Sequence, residues 1–316
     1  MAKILMTRRI PKKGIAILSA EHELDIAGDK SLGYEELFEI IDQYDGVLSM
    51  LSDKFDEPMI KRAKRLKIIS NYAVGYDNID LKAAEANNII VTNTPDVLTE
   101  ATAELAFSLM LAAARRLIEG DKFVKSGKFE GWEPLLMLGK EVSGANLGII
   151  GFGRIGQAVA KRAKGFSMKI FYSQRKRNEK AEVEYGAKFL PIDDLLAISD
   201  FVSINAPLNA ESHHLLNKER LSRIKNGAII INTGRGAIID EKELANALIS
   251  GKVAGAGLDV YEYEPKITKE LLEMDNVVLL PHLGSSTVKT RDRMAEMAAT
   301  AIVDCFKSKM PLHIVK

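Results

Sequence analysis

Cysteine is almost absent: Cys305 stands alone in a chain of 316 residues. No internal disulfide can form, so a stapled secreted scaffold is excluded. With Ala301, Ile302 and Phe306 beside it at helical spacing, the thiol reads as a small buried hydrophobe in a reducing, cytoplasmic setting. Neither sign of charge is in excess. With 44 Lys and Arg against 43 Asp and Glu, no global field draws phosphate backbones or anionic lipid, which argues against nucleic acid as a partner and makes any basic site local. Long apolar runs are missing too. Ile4-Leu5-Met6 is too brief for a signal-peptide core. The apolar stretch from Leu105 to Ala114 stops at Arg115-Arg116, far short of the roughly 20 residues a membrane span needs. What remains is ordinary globular material, 47% hydrophobic and 28% charged, in a length that predicts two domains, each with its own core.

Residues 1 to about 93 alternate short β-branched runs (KILMT, HELDIAG, GVLSM, KIISNYA, IIVTNT) with amphipathic stretches near Lys12 to Ala20, Tyr34 to Tyr44, Pro58 to Lys64 and Ile79 to Asn87. Strand alternating with helix predicts a parallel, doubly wound sheet. After Thr94-Pro95 one long helix is expected over ATAELAFSLMLAAARRLIEGDKFV, apolar on more than one face. Such a helix needs burial on several sides, either in a core between domains or at a subunit interface. A second α/β series begins at Asn146: NLGIIGFG, a helix to about Gly165, MKIFYS, the helix of DDLLAIS, DFVSINAP, GAIIINTGRG, AGAGLDV and NVVLLPHLG. Beyond Ser285 a last apolar-periodic helix to about Lys307 is expected to cross back to the first domain, followed by a short extended tail.

Gly151, Gly153 and Gly156, with Arg154 and Ile155 between them as further candidate cofactor-binding residues, stand in G-x-G-x-x-G spacing, after the apolar run Leu147 to Ile150 and before the helix Gln157 to Lys164. With the strand Met168 to Tyr172 beyond, this is the βαβ context of a dinucleotide fingerprint: a tight turn, close approach of the backbone to a pyrophosphate, and negative charge held at a helix N-terminus. Choice between cofactors is read about 20 residues on, where a carboxylate would bond the ribose hydroxyls of NAD. Here the residues are Ser173, Gln174, Arg175, Lys176 and Arg177, with no carboxylate before Glu179. A 2′-phosphate would meet a hydroxyl, an amide and up to three cations, so NADP (NADPH) is the expected cofactor and NAD the lesser one. The expected architecture is α/β with two doubly wound parallel sheets. A Rossmann nucleotide domain (97–284) is inserted in a flavodoxin-like substrate domain (1–96 and 285–316).

Three polar residues follow strand-like runs of the second series, where ligands bind in such sheets: Arg235 in INTGRG, Glu264 in GLDVYEYEP and His282 in LPHLGS. Hydride arriving at a carbonyl carbon leaves charge on oxygen, so the site needs a proton donor and a cation. A histidine backed by a carboxylate and faced by an arginine supplies both.

The motifs GFGRIG, NTGRG, GLDVYEYEP and PHLGSST, in this order and spanning essentially the whole chain, resemble the D-isomer-specific 2-hydroxyacid dehydrogenase family. NYAVGYDNID, TPDVLTEATAE, GWEPL and the basic loop at Arg175 are most similar to its glyoxylate/hydroxypyruvate reductase branch. The resemblance implies that Arg235 binds the carboxylate and carbonyl oxygen of a 2-oxo acid, that His282 protonates that oxygen, and that Glu264 pairs with His282. It also implies that backbone amides near Val74 and Gly75 clasp the substrate carboxylate, that Leu51 faces the pocket, and that Asp259 holds the nicotinamide carboxamide. Thr233 and Gly234 would line the ring, Pro207 would border the nucleotide, and Gly284 is a further candidate for cofactor binding. Trp132 would reach a neighbouring subunit's pocket, with a buried anchor as the alternative. A homodimer through the helix region 97–125 is expected.

His213 and His214 are read as adjacent side chains pointing apart on a strand, with no matching ligand nearby, so no metal is expected. Phosphoglycerate dehydrogenase is the competing enzyme reading. A dinucleotide-sensing scaffold like the corepressors of this fold is the competing non-enzyme reading.

Overall fold

The short apolar runs become strands, and the central ones are buried on both faces, as parallel sheets favour; all five residues of Ala228–Asn232, for example, are buried. The computed structural model describes residues 1–30 and 32–315. Contacts divide the chain into two units, Met1–Leu98 with Ser285–Lys316, and Thr99–Gly284. Among the described residues, no helix is long and apolar enough to cross a membrane.

The first unit is a five-stranded parallel sheet with the order β2-β1-β3-β4-β5. Its strands are β1 (Lys3–Met6), β2 (Glu23–Ile26), β3 (Gly46–Ser49), β4 (Ile68–Asn71) and β5 (Ile90–Thr92). Helices α1 (Lys12–Ser19), α2 (Tyr34–Ile40), α3 (Glu57–Arg62) and α4 (Leu81–Ala86) connect them. Asp56 and Asp80 cap the last two by accepting the N–H of Met59 and Ala83. The expected helix from Tyr34 to Tyr44 is shorter, ending in a 3-10 turn over Ile41–Gln43.

The second unit opens with α5 (Thr99–Ala114) and α6 (Leu117–Lys125), which corrects the single long helix expected there. The Ala114 carbonyl, which would accept the fourth residue onward in a continuous helix, instead accepts the N–H of Lys140 at 2.8 Å. Arg116 then turns left-handed, with φ +53°. The break is made by a segment two dozen residues away.

Seven parallel strands follow in the order β12-β11-β10-β9-β6-β7-β8: β6 (Asn146–Ile150), β7 (Lys169–Ser173), β8 (Lys188–Phe189), β9 (Phe201–Ile204), β10 (Ala228–Asn232), β11 (Val253–Leu258) and β12 (Val277–Leu279). The helices are α7 (Arg154–Gly165), α8 (Glu179–Tyr185), α9 (Ile192–Ile198), α10 (Lys218–Arg223), α11 (Glu241–Ile249) and α12 (Lys269–Leu272). The last helix, α13 (Val288–Phe306), belongs to the first unit and packs on α1. Cys305 within it is half-buried rather than fully enclosed. In each sheet the strand order reverses once, between β1 and β3 and between β6 and β9. Ligands of doubly wound sheets bind beyond the carboxyl ends at that point.

One ion cluster fastens the second sheet. Asp200 accepts Lys225 at 2.8 Å, Lys140 at 3.1 Å and the Asn146 N–H at 3.1 Å. Burial alone would raise its pKa, but these donors overcome burial and hold it at about 2. A carboxylate held below its unfolded value stabilises the fold fully above that value and loses the effect as pH falls through the folded one. Asp200→Asn is therefore expected to cost about 2 kcal/mol near neutrality. The gap to wild type should narrow as pH falls from about 4 toward 2, as read by denaturant titration at each pH.

Candidate active site

At the end of β6 the chain turns through Gly151, with φ +87°. A Cβ there would lie 2.6 Å from the Ala206 nitrogen, and one on Gly156 would lie 2.2 Å from the Gly151 carbonyl oxygen. Backbone packing therefore demands these two glycines. Gly153 differs, because a Cβ built on it meets nothing within 4 Å. Its lack of a side chain serves no internal contact and keeps clear the space at the N-terminus of α7, the end of a helix toward which backbone N–H groups point. Nearby, Asn205 Oδ1 and Thr233 Oγ1, just past β9 and β10, are buried without a hydrogen-bond partner, a state that polar atoms rarely keep. Open space at a helix N-terminus and orphaned acceptors at the strand ends fit a bound dinucleotide. Asn205 was not singled out in the sequence; an Asn immediately before Pro207's neighbour Ala206 carries no periodic signal.

The basic rim is smaller than expected. Arg177 bonds Glu182 twice, at 2.8 Å each. Glu182, held at about 2 by that arginine, also accepts the Tyr172 hydroxyl. Arg177, though its side chain is 58% exposed, is thus committed to α8, while the exposed Lys176 and Arg175 flank it, Arg175 lying 4.0 Å from Glu211. Gln174 folds back, its Oε1 accepting the Phe152 N–H at 3.1 Å and its Nε2 donating to the Lys176 carbonyl. The Ser173 carbonyl accepts the Gly151 N–H. The Pro207 carbonyl accepts the Ser212 hydroxyl, and the Gly234 N–H goes to Asn232 Oδ1.

Arg235, Glu264 and His282 come together in the second unit. A Cβ on Gly236 would fall 1.8 Å from the Tyr261 carbonyl carbon, so the loop after β10 presses directly on the loop after β11. This sets the Arg235 guanidinium where its charge acts on Glu264. Glu264 Oε2 lies 3.0 Å from His282 Nδ1, and Oε1 accepts the Tyr261 N–H at 3.1 Å. Burial would raise the Glu264 pKa, but His282, Tyr261 and Arg235 outweigh it and keep the carboxyl below its usual range, hence ionised. His282 itself has a left-handed backbone, φ +55°, uncommon for a residue with a side chain. Asp259 enforces it: its carbonyl accepts the His282 N–H, and its two carboxylate oxygens accept the N–H groups of Leu283 (2.6 Å) and Gly284 (2.8 Å). Thr102 clamps the Gly284 carbonyl from α5. The carboxylate expected to hold a carboxamide is thus engaged in building the histidine's turn, and burial pushes its pKa up. With Nδ1 facing Glu264, Nε2 is the nitrogen left to give a proton outward.

Two carboxylates that the sequence reading passed over brace this loop. Buried Glu241 accepts the N–H of Glu262 (2.9 Å) and of Thr268 (2.6 Å), on either side of Glu264, while Glu262 accepts the Glu241 N–H in return. An acidic residue opening a helix ordinarily reads as dipole compensation, so only the fold reveals the clamp. Glu241→Gln keeps one acceptor and is expected to lower kcat about tenfold with little change in KM, and Glu241→Ala more, as the Glu264–His282 geometry loosens. Steady-state kinetics across pH check this. A loss of thermal stability with an unchanged kcat and pH profile would mean that the clamp serves folding alone.

In the first unit, three consecutive carbonyls are pinned from behind: Ala73 by the Thr94 N–H, Val74 by Asn93 Nδ2 and Gly75 by Asn71 Nδ2. A trans peptide points its N–H opposite to its C=O. The amides of Val74, Gly75 and Tyr76 therefore point away from these braces, an arrangement able to receive an anion. Leu51, 37% exposed, lies in the loop after β3, at the reversal point of this sheet. Asn78 ties this loop to the first, donating to the carbonyls of Met50 and Asp53 and accepting from Asn71.

Two other expectations change. Trp132 is 84% exposed, so it is no buried anchor. His213 and His214 do not point apart on a strand; they sit in a turn with their rings stacked 4.1 Å apart.

Residues 107–284 match the model of the D-isomer specific 2-hydroxyacid dehydrogenase, NAD binding domain. The chain is 48% identical to a glyoxylate reductase of Thermococcus onnurineus over 99% of its own length and 95% of the relative's. A crystal structure of a Thermus thermophilus protein superposes with a TM-score of 0.93 at 40% identity, covering 99% of this chain and all of that one. A Sinorhizobium meliloti NADPH-dependent glyoxylate/hydroxypyruvate reductase, solved with NADP and malonate, superposes with a TM-score of 0.90 at 31% identity, covering 99% and 96%.

Proposed function

From the premise that the chain belongs to the D-isomer-specific 2-hydroxyacid dehydrogenase family, we propose that it reduces glyoxylate, hydroxypyruvate or a related small 2-oxo acid to the D-2-hydroxy acid, with NADPH preferred over NADH. The observation that carries this reading is the Arg235–Glu264–His282 set, with His282 Nδ1 3.0 Å from an ionised carboxylate. Gly151–Gly156, with Thr233 and Asn205 offering hydrogen-bond partners, would hold a nicotinamide dinucleotide, which would supply the hydride. Arg235 holds the carboxylate and carbonyl oxygen of the 2-oxo acid and stabilises the charge that develops there. His282 gives its Nε2 proton to that oxygen, while Glu264, 3.0 Å from Nδ1, keeps the ring oriented. Within the first unit, the amides of Val74 and Gly75 can receive a carboxylate, and Leu51 offers an apolar side chain in the loop after β3.

NADPH preference rests on Arg175 and Lys176 beside a position where Gln174 replaces a carboxylate. Charge-assisted bonds to a phosphate are worth about 1.5–3 kcal/mol. Replacing both cations with alanine is accordingly expected to lower kcat/KM with NADPH by roughly 10–100-fold and to leave the NADH value nearly unchanged. Equal losses with both cofactors would remove the 2′-phosphate role. The apolar side chains Leu117, Ile118 and Val124 on α6, with Phe129, Trp132, Leu135 and Leu138 beyond it, are exposed. They support a homodimer through the 97–125 region, with Trp132 reaching the neighbouring subunit.

A further inference from the structure

Outside the catalytic set, one cluster of ligating side chains among the described residues has the composition of a metal site. The turn after Pro207 is fixed from within: the His213 N–H goes to the Asn209 carbonyl, and the Ser212 hydroxyl to the Pro207 carbonyl. His214 then adopts φ +47°, with its N–H on the Ala237 carbonyl. The two rings lie side by side, 26° from parallel. Facing them is Glu262, whose side chain is 7% exposed. Its Oε2 accepts the Glu241 N–H, and its Oε1 sits 2.7 Å from His214 Nε2. One donor atom from each of His213, His214 and Glu262 lies within 4.8 Å of the other two. Behind the cluster, Asp240 Oδ2 is 3.9 Å from His214 Nδ1, where an outer carboxylate orients a ligating imidazole.

We propose that His213, His214 and Glu262 bind a zinc ion, with a remaining position open to water. Two imidazoles and one carboxylate suit a borderline cation such as Zn2+ and not Mg2+ or Ca2+, which prefer all-oxygen shells. The ion takes the place of the direct His214–Glu262 contact. Metal bonds of ~2.0–2.1 Å require that pair to open by about half an ångström. Once bound, the ion fastens the turn at His214 to the loop in which Glu264 follows Glu262 by two residues.

The test uses the full chain without an affinity tag, stripped of metal with a chelator and titrated with zinc chloride by calorimetry and thermal melting, with magnesium chloride as control. One zinc per chain is expected, with a rise in Tm of about 3 °C at saturation and none with magnesium. The His213→Ala variant, which leaves the His214–Glu262 pair intact, is expected to weaken zinc binding roughly 10–100-fold while keeping the metal-free Tm. Cobalt in place of zinc should show the visible absorption of a low-coordinate site in wild type and lose it in the variant. Zinc held equally well by His213→Ala, or no binding below millimolar zinc, overturns the proposal.

Discussion

His282→Ala is expected to lower kcat/KM for 2-oxo acid reduction by about 10²–10⁴-fold while the dinucleotide binds as before. The size follows from the step removed. Without a proton donor at the carbonyl oxygen, charge developing there is met by Arg235 alone, and water must supply the proton. Cofactor affinity is spared because the cradle at Gly151–Gly156 shares no hydrogen bond with His282. The turn itself is held by Asp259 through the N–H groups of residues 282, 283 and 284, and those backbone bonds survive the substitution. Glu264→Gln should fall between wild type and His282→Ala, because glutamine keeps an acceptor but no charge. Rates measured under single turnover separate this loss in chemistry from any change in product release.

Gly153→Val is expected to weaken dinucleotide binding by at least about 100-fold and to leave Tm within about a degree of wild type, an outcome that ordinary core substitutions do not give. The separation arises because nothing in the protein lies within 4 Å of a Cβ at Gly153, so the added side chain branches into space that a bound dinucleotide would need. Gly156→Ala is the counter-case. Its Cβ would meet the Gly151 carbonyl oxygen at 2.2 Å, and a forced contact of that kind disturbs the packing of α7 on β6 at a cost of about 1–3 kcal/mol or more. Calorimetric titration with NADPH and thermal melting of both variants decide it. A Gly153→Val chain that binds normally would place the dinucleotide elsewhere.

The strands were legible because both faces of a parallel sheet are buried, so runs such as Ala228–Asn232 are apolar without interruption. The fingerprint was legible for a related reason: glycine is the residue that permits the backbone approach at Gly151 and Gly156, so the requirement is written in residue type. What could not be read depends on partners distant in sequence. Helix α5 ends because Lys140 takes the Ala114 carbonyl, and no local propensity near Arg115-Arg116 signals that. Arg177 looked like part of a phosphate patch until Glu182 claimed it. Asn71 and Asn93 read as ordinary strand-end polar residues, yet their side chains pin the carbonyls that set the direction of the Val74 and Gly75 amides. Glu241 and Glu262, both ordinary surface residue types, turn inward and brace the loop of Glu264.

The most direct test is to follow NADPH oxidation by the purified chain on addition of glyoxylate or hydroxypyruvate, with chiral analysis of the product from the latter. The expected result is oxidation that depends on the 2-oxo acid, is slower with NADH, yields the D-hydroxy acid and is lost in His282→Ala. Binding of NADPH with no oxidation by any small 2-oxo acid would contradict it and would instead favour a protein that uses the dinucleotide as a ligand.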